Sequence, residues 1–396
     1  MKADLITLHS VYNYGSVLQT YATQEIFKRH GVDVTTIDFV RENNLFFNRL
    51  KRGANNSILK EAILLPSQLK QKSVFDNFIK NNIKITDKTY TYDSDFDGYN
   101  SNADFFITGS DQVWNSTWNG GIVRPLYLSF IKSKPKFAFA ASFGKEEIDE
   151  EEINSTKELI HEYKYISVRE NSALSILKKQ YGYKNCEQIL DPTLLLSGSD
   201  WRKIETENKI KGKYILIYQL NSNRTFDKYA AAVAKANNCK LVRICRRFDQ
   251  LILNGKSIII PRVEEFISLF DNAEMVITDS FHALSFSINL NKPFMCIYPP
   301  KFNTRLKSCL EMFDLTDRLV QDYKKLNIFD KSIDWNKVNN ILKIERDKSN
   351  KFIENCLEYV EKNGDIWWFA IKKNVLAVLL ALMFAQNKLF LCNQMN

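Results

Sequence analysis

The sequence predicts an α/β protein made of two Rossmann-like units. Three observations carry that expectation. Short apolar runs of strand length alternate with segments of helical periodicity, the alternation restarts after about residue 200, and nearly every apolar run ends in a polar or glycine-bearing turn. A length of 396 residues also suits two domains better than one core.

The first unit opens with DLITLH, then SVYNYGSVLQTYATQEIFKRHG and VDVTTIDF. Leu18, Tyr21, Ala22, Ile26 and Phe27 recur at helical spacing, Gly31 ends the helix, and 32–39 reads as the next strand. This is a βαβ opening. Residues 41–100 read as helical and polar, with Pro66 as a breaker. Strand signals return at 104–108, 136–141, 165–168 and 188–190, each leading into a polar stretch: GSDQVWN, SFGKE, REN and DPT. In an open α/β sheet the carboxyl ends of strands line the ligand crevice, so these polar stretches are expected to converge.

After a hinge at 191–200 the pattern repeats. KYILIYQL, KLVRIC, EMVITDS and PFMCIY read as strands, with helices at 226–237, 263–273 and 281–290 between them. A helical pair over 333–360 is expected to close the globular part. The expected domains are 1–195, 196–362 and a hydrophobic tail, 363–396. Two Rossmann-like domains facing a cleft make the architecture called GT-B.

Charge and cysteine content narrow the function classes. The net charge of +9 suits an anionic ligand, but the basic residues are scattered, and there is no arginine-rich arm or zinc-finger spacing. Nucleic acid is therefore not expected as a partner. Seven cysteines, at 186, 239, 245, 296, 309, 356 and 392, form no CxxC pair and read as reduced thiols. Met1 runs straight into a strand-like segment without a signal-peptide pattern, so a cytoplasmic location is expected. No metal-ligand spacing such as HExxH stands out, and no metal is expected.

VITDSFHALSF, 276–286, places His282 where a buried strand turns into a helix. The first turn of such a helix leaves N–H groups unpaired and carries the positive end of the dipole, which suits a phosphate or carboxylate. The bland alternative is a core histidine bonded to a backbone carbonyl. His9, Asn13, Tyr14 and Gly15 come after the first strand, whereas His30 and His161 lie on charged helical faces without an expected role.

Together NYGSVLQTYA (13–22), GSDQVWN (109–115), AASFG (140–144), VREN (168–171), LDPTLLL (190–196) and TDSFHALSFSINLNKPF (278–294), with NTRLKSCLEMFDLTDR (303–318), resemble the polysaccharide pyruvyl transferases. The resemblance implies a GT-B-like fold. It also implies transfer of the enolpyruvyl unit of phosphoenolpyruvate onto two sugar hydroxyls, giving a cyclic pyruvate ketal with loss of phosphate. The expected acceptor is a bacterial surface polysaccharide or its lipid-linked oligosaccharide precursor, with phosphoenolpyruvate as donor substrate and no further cofactor.

That chemistry needs cationic or N–H donors for two anions, a general acid for the methylene carbon and a base for the hydroxyls. His282 and Asp111 are the acid–base candidates; the bland reading of Asp111 is a helix N-cap. The family often shows Arg-x-His where this chain has Ser280 before His282, so a guanidinium is missing there. Arg169 is expected near the substrate carboxylate and Arg305 near the phosphate. Ser280, Asn13, Gly15, Ser110 and Ser142 are further candidate contacts, and Trp114 and Trp118 are candidate sugar-stacking rings, with core filling as the alternative for Trp114. Two other readings stay open: a glycosyltransferase using a nucleotide sugar, and a non-catalytic glycan-assembly subunit, which the Ser280 departure keeps in view.

The tail, IWWFAIKKNVLAVLLALMFAQNKLFLCNQMN, stands outside the family pattern. Its uninterrupted apolar core, 375–385, is shorter than the ~20 residues of a spanning helix. Trp367, Trp368, Lys372, Lys373 and Lys388 have the character of interfacial anchors. Peripheral contact with the inner face of the membrane through 366–392 is one expectation; packing on the domains, self-association and a tilted short span are the others.

Overall fold

A computed structural model describes residues 1–299, 303–320, 322–324, 326 and 332–363. Among them, β1 (Lys2–Ile6), β2 (Asp33–Phe39), β3 (Ile85–Tyr90), β4 (Phe105–Thr108), β5 (Lys136–Ala141), β6 (Tyr165–Val168) and β7 (Cys186–Gln188) form one parallel sheet in the order 3-2-1-4-5-6-7. A second parallel sheet holds β8 (Tyr214–Tyr218), β9 (Lys240–Cys245), β10 (Lys256–Ile259), β11 (Met275–Thr278) and β12 (Phe294–Cys296) in the order 10-9-8-11-12. Both orders run outward from the first strand of the sheet and then jump to its other side, as in a doubly wound fold. Two such units around a shared cleft make the fold GT-B-like, as the alternation of the sequence predicts.

The helices that matter for the site are α1 (Tyr14–Arg29), α2 (Phe46–Ala54), α3 (Ile58–Asn82), α4 (Glu150–His161), α5 (Arg224–Ala236), α6 (Val263–Asp271), α7 (Phe281–Asn289), α8 (Thr304–Met312) and α9 (335–363). The central strands are apolar on both faces, since helices cover each side: FFIT of β4, KFAFAA of β5 and YILIY of β8 are buried throughout. One apolar cluster continues from Leu5 and Phe139 of the first sheet through Trp201 to Tyr218 of the second and Phe266 of α6. At that junction the Tyr14 ring stacks on Phe266 with centroids 4.3 Å apart, and its hydroxyl donates to the Pro261 carbonyl at 2.6 Å.

Several expectations are corrected. Pro66 does not end a helix but lies inside α3, which runs on for 25 residues. Proline removes one N–H bond, and α3 is held by packing beyond it: Ser67 accepts from the Phe248 amide at 2.9 Å, and Gln71 donates to the Arg246 carbonyl at 2.7 Å. The helical pair expected over 333–360 is a single helix, α9, and it packs on the first sheet. Phe352 stacks against Phe139, Tyr359 meets Phe137 and Tyr165 edge-on, and Ser349 accepts from the Leu190 amide at 3.2 Å. The apolar pattern of the sequence does not announce the edge strands β3 and β10, and β7 starts two residues before the expected 188–190.

The six cysteines among the described residues are unpaired. No helix among those residues is long and apolar enough to cross a membrane. The tail, including the expected membrane segment 366–392 and Cys392, lies outside the described residues.

Candidate active site

In each sheet the strand order reverses at a switch point: between β1 and β4 in the first and between β8 and β11 in the second. Loops leaving the carboxyl ends of two such strands diverge, and the gap between them is where an α/β sheet binds ligands. Here the two gaps face each other. Asn13 and Ser16 after β1, Asp111 and Gln112 after β4, Leu220 and Asn221 after β8, and Asp279, Ser280 and His282 after β11 line one cavity of about 200 Å3, completed by Arg246 and Arg305.

Helices α1 and α7 meet there by their first turns. Asn13 caps α1, its Oδ1 accepting from the Gly15 amide at 2.9 Å. Ser280 caps α7 in the same way, accepting from the Ala283 amide at 3.4 Å. This is the local reason for serine where the family pattern has arginine: a short hydroxyl reaches back to the helix amides. Gly15 lies against the imidazole of His282, and a Cβ at position 15 would fall 2.0 Å from Nδ1. The missing side chain is what lets the two lobes close with the histidine between them.

His282 is buried, and its Nε2 has no hydrogen-bond partner among the described residues. Burial pushes the imidazole down to about 4, against the opposing pull of Asp191 and Asp111. It is therefore a neutral ring at pH 7, and the reading of a core histidine satisfied by a carbonyl does not apply to Nε2. Arg305, at the start of α8, has a buried Nε that is likewise unpartnered among the described residues. Burial, with Arg169 adding repulsion, lowers its guanidinium to about 10, so it stays charged.

Asp111 is not a helix cap. The short helix Ser116–Asn119 is capped by Asn115, whose side chain accepts from the Trp118 amide at 3.0 Å. Asp111 instead takes a left-handed backbone, φ 75°, uncommon outside glycine, which turns its carboxylate toward the cleft. There Oδ1 accepts from Arg169 at 3.0 Å and from the Gln112 amide at 2.9 Å, while Oδ2 accepts from Ser16 at 2.8 Å. Burial alone would raise its pKa; Arg169, His282, Arg305 and Ser16 together hold it well below the usual carboxylate range.

Arg169 is corrected from substrate ligand to internal organiser. Its side chain is fully buried and bonded to Asp191 at 2.5 Å and Asp111 at 3.0 Å, with Glu170 3.8 Å from Nε. Phe281 lies below the guanidinium, 4.7 Å from carbon to ring centroid. Ser110 and Ser142 also lie behind the cavity: Ser110 donates to Asp191 at 2.9 Å and Ser142 to Glu170 at 2.8 Å, both fully buried. Trp114 is core, stacked on Tyr127 with its indole N–H on the Leu126 carbonyl at 3.2 Å, so no sugar reaches it. Trp118, half exposed, does line the cavity.

Sequence reasoning missed Asp191, Glu170, Asp279 and Arg246. Asp191 and Glu170 stand within the family motifs, but nothing in their spacing announces that both share Arg169. Burial raises Glu170 despite the nearby guanidinium. Asp279 accepts from the Leu220 and Asn221 amides at 2.7 and 2.9 Å, joining the two switch-point loops of the second sheet; burial still raises its pKa. His9 faces away and bonds Asp38 at 2.9 Å. Among the described residues no group of three or more His, Cys, Asp and Glu could hold a metal ion.

Replacing Arg169 by methionine would leave the Asp111, Asp191 and Glu170 carboxylates without the cation that bonds Asp111 and Asp191 directly. The expected loss is about 3–5 kcal/mol of folding stability, measured by urea denaturation. Wild-type stability combined with a raised Michaelis constant would return Arg169 to the role of ligand.

Known proteins can be set beside this geometry. No curated protein sequence matches the chain. Among solved structures it is similar to UDP-GlcNAc 2-epimerase from Methanocaldococcus jannaschii in complex with UDP-GlcNAc and UDP, at 14% identity over 91% of this chain and 100% of that one, with a TM-score of 0.49. It is also similar to a putative UDP-N-acetylglucosamine 2-epimerase from Listeria monocytogenes (11% identity, 88% and 90% of the two chains, TM-score 0.48) and to a spinosyn rhamnosyltransferase (8%, 91% and 100%, TM-score 0.44). The sequence profile of the polysaccharide pyruvyl transferases matches residues 13–300, a span that runs from the cap of α1 past α7 and β12. The chain is thus a transferase, and it belongs to the polysaccharide pyruvyl transferase family.

Proposed function

We propose that the protein moves the enolpyruvyl group of phosphoenolpyruvate onto two hydroxyls of a sugar in a bacterial surface-polysaccharide precursor, forming a cyclic pyruvate ketal and releasing phosphate. The observation that carries this reading is a pair of buried nitrogens without partners among the described residues, His282 Nε2 in the first turn of α7 and Arg305 Nε in the first turn of α8, which line one cavity with Asp111. Buried polar nitrogens are normally satisfied, so an arginine nitrogen and a protonatable imidazole nitrogen left unmet in one cavity suit a ligand rich in acceptor oxygens. Phosphoenolpyruvate brings a phosphate and a carboxylate. Arg305 and the amides of α7 suit the phosphate, and Arg246 replaces Arg169 as the cation for the carboxylate.

The site residues then divide the proton work. An incoming anion raises the His282 pKa by Coulomb attraction, so binding places a proton on Nε2 beside the enol phosphate double bond. His282 gives that proton to the methylene carbon, leaving positive charge at C2 that the Asp111 carboxylate stabilises. A sugar hydroxyl adds to C2 as its proton leaves to Asp111; phosphate departs, and the second hydroxyl closes the ring. The methyl group keeps the proton taken up on binding, the first hydroxyl proton passes from Asp111 to the departing phosphate and the second is released to solvent, so the residues return to their starting states. The acceptor is made at the cytoplasmic face of the membrane, where phosphoenolpyruvate is available.

His282→Ala should lower kcat by a factor on the order of 10²–10⁴, whereas Arg305→Ala should chiefly raise the Michaelis constant for phosphoenolpyruvate by about 10- to 100-fold; ketal formation monitored through phosphate release measures both. Unchanged turnover in His282→Ala would remove the histidine from the mechanism. The histidine also gives the binding a pH signature. Its free-state pKa is depressed to about 4 and rises in the complex, so binding takes up a proton. Affinity should fall as pH rises between about 5 and 8, and calorimetry in buffers of different ionisation enthalpy should report uptake beyond the ligand's own ionisation. His282→Asn should abolish that excess; an excess that survives the substitution assigns the proton elsewhere.

A further inference from the structure

A second cavity, of about 570 Å3, adjoins the first and shares Tyr12, Trp118, Leu220 and Arg246 with it. Arg41, Arg49, Arg52 and Arg246 line it, and among the described residues no carboxylate does. Arg247 also lines it but is paired with Asp249 at 2.7 Å. Arg41 is buried and bonded through Nη1 to Asn119, while its Nε has no partner among the described residues. Arg49 lies flat on Tyr12, 3.7 Å from guanidinium carbon to ring centroid, and all three of its nitrogens are buried without a hydrogen bond to a described residue. Burial lowers both guanidinia to about 10, and each feels the repulsion of Arg52. Asp76, which acts on Arg49 from behind Tyr12, does not line the cavity. Like charges with unmet donors are costly to gather, and an anion with several oxygens offsets that cost.

Helices α2 and α3 form the outer wall of this cavity: α2 brings Arg49 and Arg52, and α3 brings Leu64, Gln68 and Gln71. Between them the chain turns through Asn55 and Asn56, both left-handed. The side turned to solvent carries an apolar ridge among lysines. Phe47 is 71% exposed, Ile58 85%, Leu59 73%, Ile63 56% and Leu69 52%. At about 100° per residue these four residues of α3 fall on roughly one half of its circumference, so an amphipathic helix has its apolar side outward. Residues 41–82 carry eight basic and three acidic side chains. An apolar ridge framed by lysine and arginine suits the interface of an anionic bilayer.

We infer that the arginine cavity binds the diphosphate of an acceptor sugar carried on a polyprenyl lipid, with the α2–α3 ridge resting on the membrane that holds the carrier. The path of the sugar rests on the pyruvyl-transfer reading: beyond the diphosphate it passes Trp118 and Arg246 into the first cavity. Diphosphate binding and membrane contact stand apart from that reading. Both are tested on the full chain.

Calorimetry with inorganic pyrophosphate, farnesyl diphosphate, UDP and phosphoenolpyruvate is the first test. The two diphosphates without a base should bind, Arg49→Met/Arg52→Met should weaken both by about tenfold or more, and phosphoenolpyruvate affinity should stay within about twofold, which also shows that the variant is folded. In flotation with vesicles of phosphatidylcholine and phosphatidylglycerol, Ile58→Ser/Ile63→Ser should lower the bound fraction several-fold while pyrophosphate affinity is kept. Absence of diphosphate binding at millimolar concentration overturns the inference, and if phosphoenolpyruvate still binds, the donor reading survives it. Diphosphate binding without phosphoenolpyruvate binding does the reverse. UDP binding more tightly than farnesyl diphosphate overturns the lipid carrier in favour of a nucleotide-linked acceptor, loss of phosphoenolpyruvate in the arginine variant makes the cavity part of the donor site, and unchanged flotation removes the ridge.

Discussion

One buried guanidinium organises the catalytic side of this molecule. Arg169 leaves the end of β6 and meets Asp111 from the end of β4 and Asp191 just after β7, so one side chain fixes the spacing of three strand ends. Without it the left-handed turn at Asp111 would hold a buried carboxylate stripped of its bonded counter-charge, and burial would drive it toward the protonated form. With it, Asp111 is an anion whose position is set before any ligand arrives. The cleft is polarised as a result: a fixed carboxylate on the first lobe faces a neutral histidine and the arginine Arg305 on the second.

The sequence is legible where local chemistry and global fold agree. The strands β5, β6 and β9 coincide with the apolar runs that announce them, because a parallel sheet buried on both faces leaves uninterrupted hydrophobic stretches. His282 is legible for the same reason: strand, polar turn and helix start can be read from about ten residues. The edge strands β3 and β10 are not. ITDKTY is mostly solvent-facing and KSII has four residues, so neither carries the pattern of a buried strand, and their pairing partners, β2 and β9, lie elsewhere in the sequence. Pro66 misleads because a proline signals what one backbone position cannot do, not what the surrounding contacts hold in place.

The roles of the site residues are partly legible. Arg169, Ser110 and Ser142 sit at strand ends, as expected for functional residues, yet a strand end has an outer and an inner layer, and spacing does not distinguish them. The serines hold Asp191 and Glu170, and the arginine holds Asp111, so they act one step behind the cavity. The arginines at 41, 49 and 52 lie in a polar helical stretch without a motif. Their convergence with Arg246 depends on α3 reaching the second lobe, where Gln71 bonds the Arg246 carbonyl, a contact across 175 residues.

The return of α9 to the first sheet means that the chain crosses between the lobes twice, once near Leu196 and again ahead of residue 335. Arg346 of α9 clamps the first crossing, donating to the carbonyls of Leu194 and Leu196 and to the Asn289 side chain at the end of α7. Two adjacent tethers define an axis, much as two pins define a door. A relative motion of the lobes that respects both tethers is a swing about that line, and the clamp and the seam where Gly15 meets His282 then stand at opposite ends of one helix, α7.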